Sequence, residues 1–392
     1  LGVPVGLALA SVAAVGLYLS VGATFMLTTF ETTPYTLASN YTFVVVPMFV
    51  LMGAIAGRAG IIGDLYAAAQ AMLSRVRGGL FMATILAQAG FAAASGSTVV
   101  ASGVFTRMAL PEMLKFRYDP GVSAGCIAAA GTLAGLIPPS IAYIIIGLVL
   151  GVNVSILFQA AVIPGLLVLL AILITNTLVN RRHAYEGGGL MTMGEWAANL
   201  WKALRSGWYA FLVPGIIFYG IFSGRMTPTE AGAVAVMVTI AIGFILGTLK
   251  FADFPAMLVS SAKVNGVILP IIAFSLPLAQ ALAILGVPQG FVAAATSVSE
   301  DPRVLILMMI LILIAAGCVM ETTPNIVILA PILFPLAQSI EMNEIQFCIM
   351  MITALGVGFI TPPLGLNLFV VSGITGESIL KIAARAIPFV LG

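Results

Sequence analysis

The chain has 392 residues, of which 61% are hydrophobic and 8% charged, with a formal net charge of +2. A mean hydropathy of +1.17 is too much apolar surface for a water-soluble globule, and the charge balance leaves no nucleic-acid footprint. The apolar stretches run to helical span length with Gly and Pro inside them and do not alternate over about ten residues as outer-membrane strands do, so the fold class is an all-α polytopic membrane protein.

The chain opens directly in an apolar segment without a basic n-region, so it is expected to begin inside a first span and not at a signal peptide. Residues 1–77 read as scaffold spans and a first arm, the amphipathic connector from Asp64 to Arg75. Two short apolar segments follow, Gly79 to Ala94 and Val99 to Met113, around the polar tip Ser95-Gly96-Ser97-Thr98. Neither reaches the ~20 residues of a comfortable span, which predicts a re-entrant hairpin with its tip near the midplane. Arg75, Arg77, Lys115 and Arg117 flank it, and the positive-inside rule puts its entry on the cytoplasmic side. Arg107, within the second segment, reads as a snorkelling side chain in preference to a substrate contact.

The next apolar segment is interrupted at Leu136-Ile137-Pro138-Pro139-Ser140. Proline has no N–H and clashes with the preceding turn, so such a break frees carbonyls that must face protein, water or a bound ion. Residues 78–150 therefore read as one hairpin and one broken helix, the first half of a transport block. Residues 151–263 read as further scaffold spans, a cytoplasmic linker and a second arm. The linker, His183 to Leu204, holds Gly187-Gly188-Gly189 and then an interfacial helix with Glu195, Trp196, Trp201 and Lys202. Arg181, Arg182 and Lys250 fall on the cytoplasmic side in this count. Thr227-Pro228-Thr229-Glu230 reads as a helix N-cap with an acidic first turn, and Asp253 to Lys263 as the second arm.

Residues 264–375 repeat the plan: a span, then segments Val304 to Met320 and Ile326 to Gln338 around Glu321-Thr322-Thr323-Pro324-Asn325, then a break at Ile360-Thr361-Pro362-Pro363-Leu364. Glu300, Asp301, Arg303, Glu341 and Glu344 flank this second hairpin, and its poverty in Lys and Arg fits entry from the opposite face. Residues 376–392 read as a final span. Pro138 and Pro362 stand 224 residues apart, and the same separation carries Pro111 to Pro335 and Pro164 to Pro388. The architecture implied is a pair of inverted-topology repeats. Cys126, Cys318 and Cys348 lie in apolar runs without metal-type spacing and read as packing residues.

Hydroxyls and a glycine turn at Ser95 to Thr98, opposite the small-residue run Ala130 to Gly135 and the freed carbonyls beyond it, suit coordination of sodium by oxygen. Glu321 is costly in an apolar setting unless a cation or protein donors meet it; it either faces such a partner or caps the following helix, or both. Its counterpart is the break around Gly356, Gly358, Thr361 and Pro362, with Asn367 further on. Helix N-termini at Pro139-Ser140 and around Thr323 would aim partial positive charge at a carboxylate. An intramembrane hydrolase with Ser97 as nucleophile lacks a base, since the one histidine is His183 in the linker, and no nucleotide-binding Gly-rich loop is present.

Taken together, the run Ser95-Gly96-Ser97-Thr98 through Pro111-Glu112-Met113, Gly135 through Ser140, Thr227-Pro228-Thr229-Glu230-Ala231 and Thr361-Pro362-Pro363-Leu364-Gly365 closely resembles the large membrane subunit of tripartite ATP-independent periplasmic (TRAP) transporters, over essentially the whole chain. The resemblance implies sodium-driven secondary uptake of an organic acid across the bacterial inner membrane by an elevator motion. It further implies two partners, a small four-helix membrane subunit and a soluble periplasmic protein that delivers the carboxylate. On this resemblance sodium falls to Ser95, Ser97, Gly135 and Pro138 at one junction and to Glu321, Thr323, Gly358 and Thr361 at the other. The substrate falls to Ser97, Thr98, Pro139, Ser140, Thr322, Thr323, Asn325 and Asn367. Many relatives carry Asp where this chain has the longer Glu321. The alternative is a stand-alone sodium/carboxylate symporter of the same plan that needs no binding protein.

Overall fold

The computed structural model describes residues 3–76, 78–183 and 192–391; Arg77 and the linker glycines Gly187, Gly188 and Gly189 lie outside them. Every regular element among the described residues is helical. α1 (Val5–Val21) and α2 (Ala23–Ala38) lead into α3 (Val45–Arg58), whose one-turn 3-10 entry, Tyr41–Val44, is capped by the Asn40 side chain accepting from the Thr42 N–H at 2.9 Å. Then come α4 (Ile61–Leu73), α5 (Gly79–Ser95), α6 (Thr98–Lys115), α7 (Pro120–Gly131), α8 (Leu133–Leu136), α9 (Ile141–Leu150) and α10 (Val154–His183). The second half holds α11 (Met193–Gly207), α12 (Tyr209–Phe222), α13 (Pro228–Ile245), α14 (Phe254–Ile284), α15 (Val287–Val298), α16 (Pro302–Gly317), α17 (Thr322–Ser339), α18 (Glu344–Gly358), α19 (Leu366–Thr375) and α20 (Ile379–Leu391).

The molecule is an all-helical, multi-span membrane protein. Among the described residues four helical stretches are long and apolar enough to cross a bilayer, Tyr41–Arg58, Val154–Arg181, Pro228–Ile245 and Phe251–Ile284. A fifth forms if α7–α8 and α9, bent by 43° at the first proline pair, count as one. The paired segments α5/α6 and α16/α17 have 17, 18, 16 and 18 residues, or ~24–27 Å at 1.5 Å per residue, short of the ~30 Å hydrocarbon core.

Lipid tails are as apolar as leucine, so packing and hydrogen bonds hold these helices together. α5 and α6 meet through Phe91 and Phe105, ring centroids 5.9 Å apart. α16 and α18 meet at Gly317 and Gly358, where a methyl group on Gly358 would come within 2.7 Å of the Gly317 Cα. The halves of the chain interlock: α9 packs on α17, and α19 packs on α6 and α7. Outside this core α3 lies against α13 and α14, and Arg58 Nη2 meets Asp253 Oδ1 at 2.7 Å, pinning the end of α3 to the start of α14. α11, opened by a reciprocal Thr192–Glu195 cap, lies on α4, with the Trp196 indole N–H donating to the Met72 carbonyl at 3.1 Å. The Thr227–Glu230 cap forms as expected, and Cys126, Cys318 and Cys348 are all buried.

Four boundaries differ from the sequence expectation. Asp253 to Lys263 is no separate arm: Asp253 closes a turn by accepting from the Lys250 N–H at 2.9 Å, and α14 then runs unbroken for 31 residues, so a domain edge at 263/264 cuts through a helix. Lys263 is tolerated because its side chain is exposed; the amphipathic helix before the second hairpin is α15. Second, α17 starts at Thr322, with Pro324 in its first turn, where no intrahelical N–H bond is lost. Third, the second break is longer than the first, with Phe359 to Gly365 between α18 and α19 against Ile137 to Ser140 between α8 and α9. Last, α20 has 13 residues, ~20 Å, with Lys381 and Arg385 exposed, too short and too charged to cross alone as the expected final span.

Candidate functional site

The two polar tips open on one cavity of about 380 Å³. At the first, α5 ends at Gly96, which takes the left-handed conformation (φ 58°) and donates to the Ala92 carbonyl at 3.0 Å. Ser97 is then extended and starts α6 without making a side-chain cap bond. The Ser95 hydroxyl is buried without a partner. Glycine is required at 96 on two counts: its φ is positive, and a methyl group there would lie 3.0 Å from the Ile141 nitrogen and 3.4 Å from the Pro139 carbonyl oxygen. Gly135 plays the reciprocal part, since a methyl on it would sit 3.0 Å from the Thr98 methyl. The first tip and the first break are thus in direct contact.

Ser140 caps α9, its hydroxyl accepting from the Ala142 N–H at 3.2 Å. At the second tip Glu321 occupies the position before α17 but makes no side-chain cap bond, so of its two sequence readings the hydrogen-bonded cap is not realised. Glu321 retains accessible surface and is among the residues that line the cavity. Asn325 braces the tip from behind, donating to the Met320 carbonyl at 2.9 Å and the Ala316 carbonyl at 3.3 Å. The second break folds under it: the Gly365 N–H donates to the Cys318 carbonyl at 3.0 Å, and the Asn367 N–H to Phe359 at 3.1 Å. The Phe359 and Thr361 carbonyl oxygens both lie about 3 Å from where a Gly365 side chain would begin.

Of the residues expected to bind, Ser95, Ser97, Thr98, Gly135, Glu321, Thr322 and Thr323 line the cavity. Pro138, Pro139, Ser140 and Thr361 stand in the breaks and Gly358 ends α18, and none of them lines it; the Thr361 hydroxyl donates back to the Val357 carbonyl of α18 at 2.7 Å. Asn325 and Asn367 are fully buried away from it; the Asn367 amide donates to the Ala128 carbonyl of α7 at 3.1 Å. Arg107 is exposed and takes no part. The cavity's other wall was not expected at all. It comes from Val50, Gly53 and Ala54 of α3 and from Ser260, Ser261, Val264, Val267 and Ile268 of α14. The two adjacent serines in an apolar helix, with Asn265 one turn on and donating toward the Ser261 hydroxyl at 3.4 Å, were the available signal.

Three helix N-termini converge here, those of α6 at Thr98, α9 at Ile141 and Ala142, and α17 at Thr322 and Thr323. Their first-turn N–H groups and partial positive charge favour an anion. The lining residues include one ionisable side chain, Glu321, and no cation. The site can therefore draw an anion with backbone charge and a cation with hydroxyls, carbonyls and one carboxylate, but its lining holds no cationic side chain to pair with the anion.

The full length of the chain, residues 1–392, matches the model of the family described as "Tripartite ATP-independent periplasmic transporter, DctM component". Among curated proteins it is similar to the C4-dicarboxylate TRAP transporter large permease protein DctM of Pseudomonas aeruginosa, with 34% identity over 90% of this chain and 82% of that one. It is also similar to the isethionate TRAP transporter permease protein DctMQ of Oleidesulfovibrio alaskensis, with 30% identity over 91% of this chain and 56% of that longer protein. Among solved structures the fold is similar to that of the YdaH transporter of Alcanivorax borkumensis, with a TM-score of 0.65 at 15% identity over 99% of this chain and 94% of that one.

Proposed function

The chain belongs to the DctM component family of the tripartite ATP-independent periplasmic transporters, and from that premise we propose that it couples uptake of an organic acid across the bacterial inner membrane to a sodium gradient. The observation that carries this is the charge inventory of the cavity, one carboxylate and no cationic side chain. An acid entering such a space needs mobile positive charge to accompany it, because burying uncompensated charge is expensive.

Sodium fits the donors at both junctions. The unpartnered Ser95 hydroxyl, with Ser97, Gly135 and Pro138, would hold one ion. The converging carbonyls of the second break, with Gly358, Thr361, Thr323 and Glu321, would hold the other. Oxygen donors of this kind, hydroxyl, carbonyl and the one carboxylate, suit a hard cation. The substrate carboxylate would then lie against the three helix N-termini, with Ser97, Thr98, Thr322 and Thr323 as hydroxyl donors.

The motion proposed is an elevator. α5–α9 and α16–α19 interlock and would move as one block, built as two inverted repeats whose hairpins re-enter the membrane from opposite faces. α3 and α14, pinned by Arg58 and Asp253, would form the fixed wall. If the first hairpin enters from the cytoplasm, the wall residues Val50 to Ala54 and Ser260 to Ile268 would lie in the cytoplasmic halves of α3 and α14, which favours reading this arrangement as inward-facing. Partners would be a small membrane subunit and a periplasmic binding protein that delivers the acid; the name DctMQ of one relative supports the first.

The test is uptake of labelled organic acids into proteoliposomes containing the permease with its small subunit, varying the sodium gradient and the supply of binding protein. Accumulation that needs both supports the proposal. Uptake indifferent to sodium overturns the coupling, and uptake indifferent to the binding protein turns it into a stand-alone symporter.

A further inference from the structure

The wall of the cavity is apolar except at one spot. α3 lines it with Val50, Gly53 and Ala54, and α14 with one helical stripe, positions 260, 261, 264, 267 and 268, in which only Ser260 and Ser261 carry polar side chains. A serine inside a helix commonly spends its hydroxyl on the preceding turn, as Ser275 of the same α14 does at the Ile272 carbonyl, 2.6 Å. Ser260 and Ser261 make no such bond among the described residues. Ser261 instead accepts, at 3.4 Å, from the side-chain amide of Asn265 one turn on, so its own proton is left to donate. Asn265 is buried and its Oδ1 has no partner. A half-satisfied amide on a membrane-spanning helix is costly, and the bond to Ser261 is what fixes it.

The opposite side of the cavity differs in kind. Its helix N-termini supply the field that holds a carboxylate, whereas serines in mid-helix supply none. An acid with its carboxylate at the tips turns its remaining length to the wall, where the two hydroxyls are the only polar side chains it meets. On the organic-acid reading above, we infer that Ser261, with Ser260 beside it, donates to an oxygen at the far end of the acid, a hydroxyl, carbonyl or second carboxylate, and that Asn265 is a positioning residue acting through Ser261. When Ser261 donates to the acid its oxygen becomes a better acceptor, and the bond from Asn265 tightens.

The test uses pairs of acids that differ in one far-end group: glycerate against lactate, gluconate against 6-deoxygluconate, and succinate against butyrate. Binding to the purified complex of permease and small subunit is titrated calorimetrically in sodium buffer at neutral pH. The oxygenated member of a pair should bind at least about threefold tighter, the lower end of what one hydrogen bond is worth. Ser261→Ala should cut that preference, and Ser261→Ala combined with Ser260→Ala should bring the pair within about twofold, in both cases by weakening only the oxygenated member. Asn265→Ala should act in the same direction and add nothing in the Ser261→Ala background, as expected of a residue that works through Ser261. Unchanged affinity for the member lacking the far-end group shows that each variant is folded. Ser261→Thr, which keeps the hydroxyl, should retain the preference, and Ser275→Ala should alter neither affinity. Equal binding of both members by the unmodified protein, or a preference that survives loss of both hydroxyls, overturns the inference and leaves the organic-acid reading intact. An Asn265→Ala effect that persists without the Ser261 hydroxyl removes Asn265 from its positioning role. If no acid of any pair binds in sodium, the organic-acid reading fails and the inference with it.

Discussion

The side-chain amide of Asn367 donates to the carbonyl of Ala128 at 3.1 Å, joining the helix that follows the second break to the helix that precedes the first. Both residues are fully buried. Because the amide is spent on α7 and not on the cavity, Asn367→Ala should lower stability by about 1–3 kcal/mol through the carbonyl left unpaired, with substrate affinity nearly unchanged in the protein that remains folded. Thermal unfolding of the purified protein and acid binding in the same preparation check this. A selective loss of affinity at unchanged stability would return Asn367 to the binding site.

Gly358 and Gly317 cross so closely that a Gly358→Ala side chain would meet the Gly317 Cα at 2.7 Å and the Ile314 carbonyl oxygen at 2.6 Å. Backbone atoms cannot step aside as a flexible side chain would. The expected cost is about 1–3 kcal/mol of overpacking, read as a lower unfolding temperature. Gly356→Ala is the control, since a methyl group there finds its nearest neighbour at 3.8 Å.

Ser97→Leu and Thr322→Leu place branched apolar groups at the mouths of two helix N-termini. Each should abolish sodium-dependent uptake, by at least about a hundredfold if the oriented N–H groups and hydroxyls supply ~3 kcal/mol of anion binding. Membrane insertion, followed by detergent extraction and size-exclusion profile, should be unaffected. Normal uptake by both variants would remove the tips from the transport path.

α11 offers a pH test outside the spans. The Thr192 backbone N–H, and then its hydroxyl, hold the Glu195 carboxyl below the usual carboxylate range. A carboxyl whose value is lowered on folding contributes stability that is fully present above its unfolded value and is lost as pH falls through the folded one. Hydrogen exchange of the Met193–Gly207 amides, corrected for intrinsic rates, should show protection at pH 6 that declines toward about pH 3. In Thr192→Ala the protection should start lower and its loss should come at a higher pH.

The tips and breaks were legible in the sequence because adjacent prolines and clustered hydroxyls are conspicuous in apolar segments, where each implies backbone groups in need of partners. The cavity's far wall was not, because Ser260 and Ser261 interrupt no helix: a serine can bond its own preceding turn, so nothing forces an inference from its presence. Asn367 was assigned to substrate for its polarity and its place after a break, yet which neighbour its amide meets depends on how α19 crosses α7, 239 residues away in the chain. Asp253 to Lys263 reads in the sequence as a second arm for a related reason: the role of its charges depends on tertiary partners, since Asp253 belongs to a turn and an ion pair with Arg58, and Lys263 rides the outside of a continuous helix.

The cross-packing of α9 on α17 and of α19 on α6 has a bearing on synthesis. When Ser95 to Thr98 first enter the membrane, the helix that will cover their hairpin is still more than 250 residues from being made. The amino-terminal half must wait in the bilayer with its small polar tip half-dressed, held by its own turn and by Gly135, Pro139 and Ile141 of the first break. The site is therefore a late product of assembly. A ribosome stalled in the linker should leave a half-protein that is inserted but degradable, and supplying the missing half as a second polypeptide should rescue it.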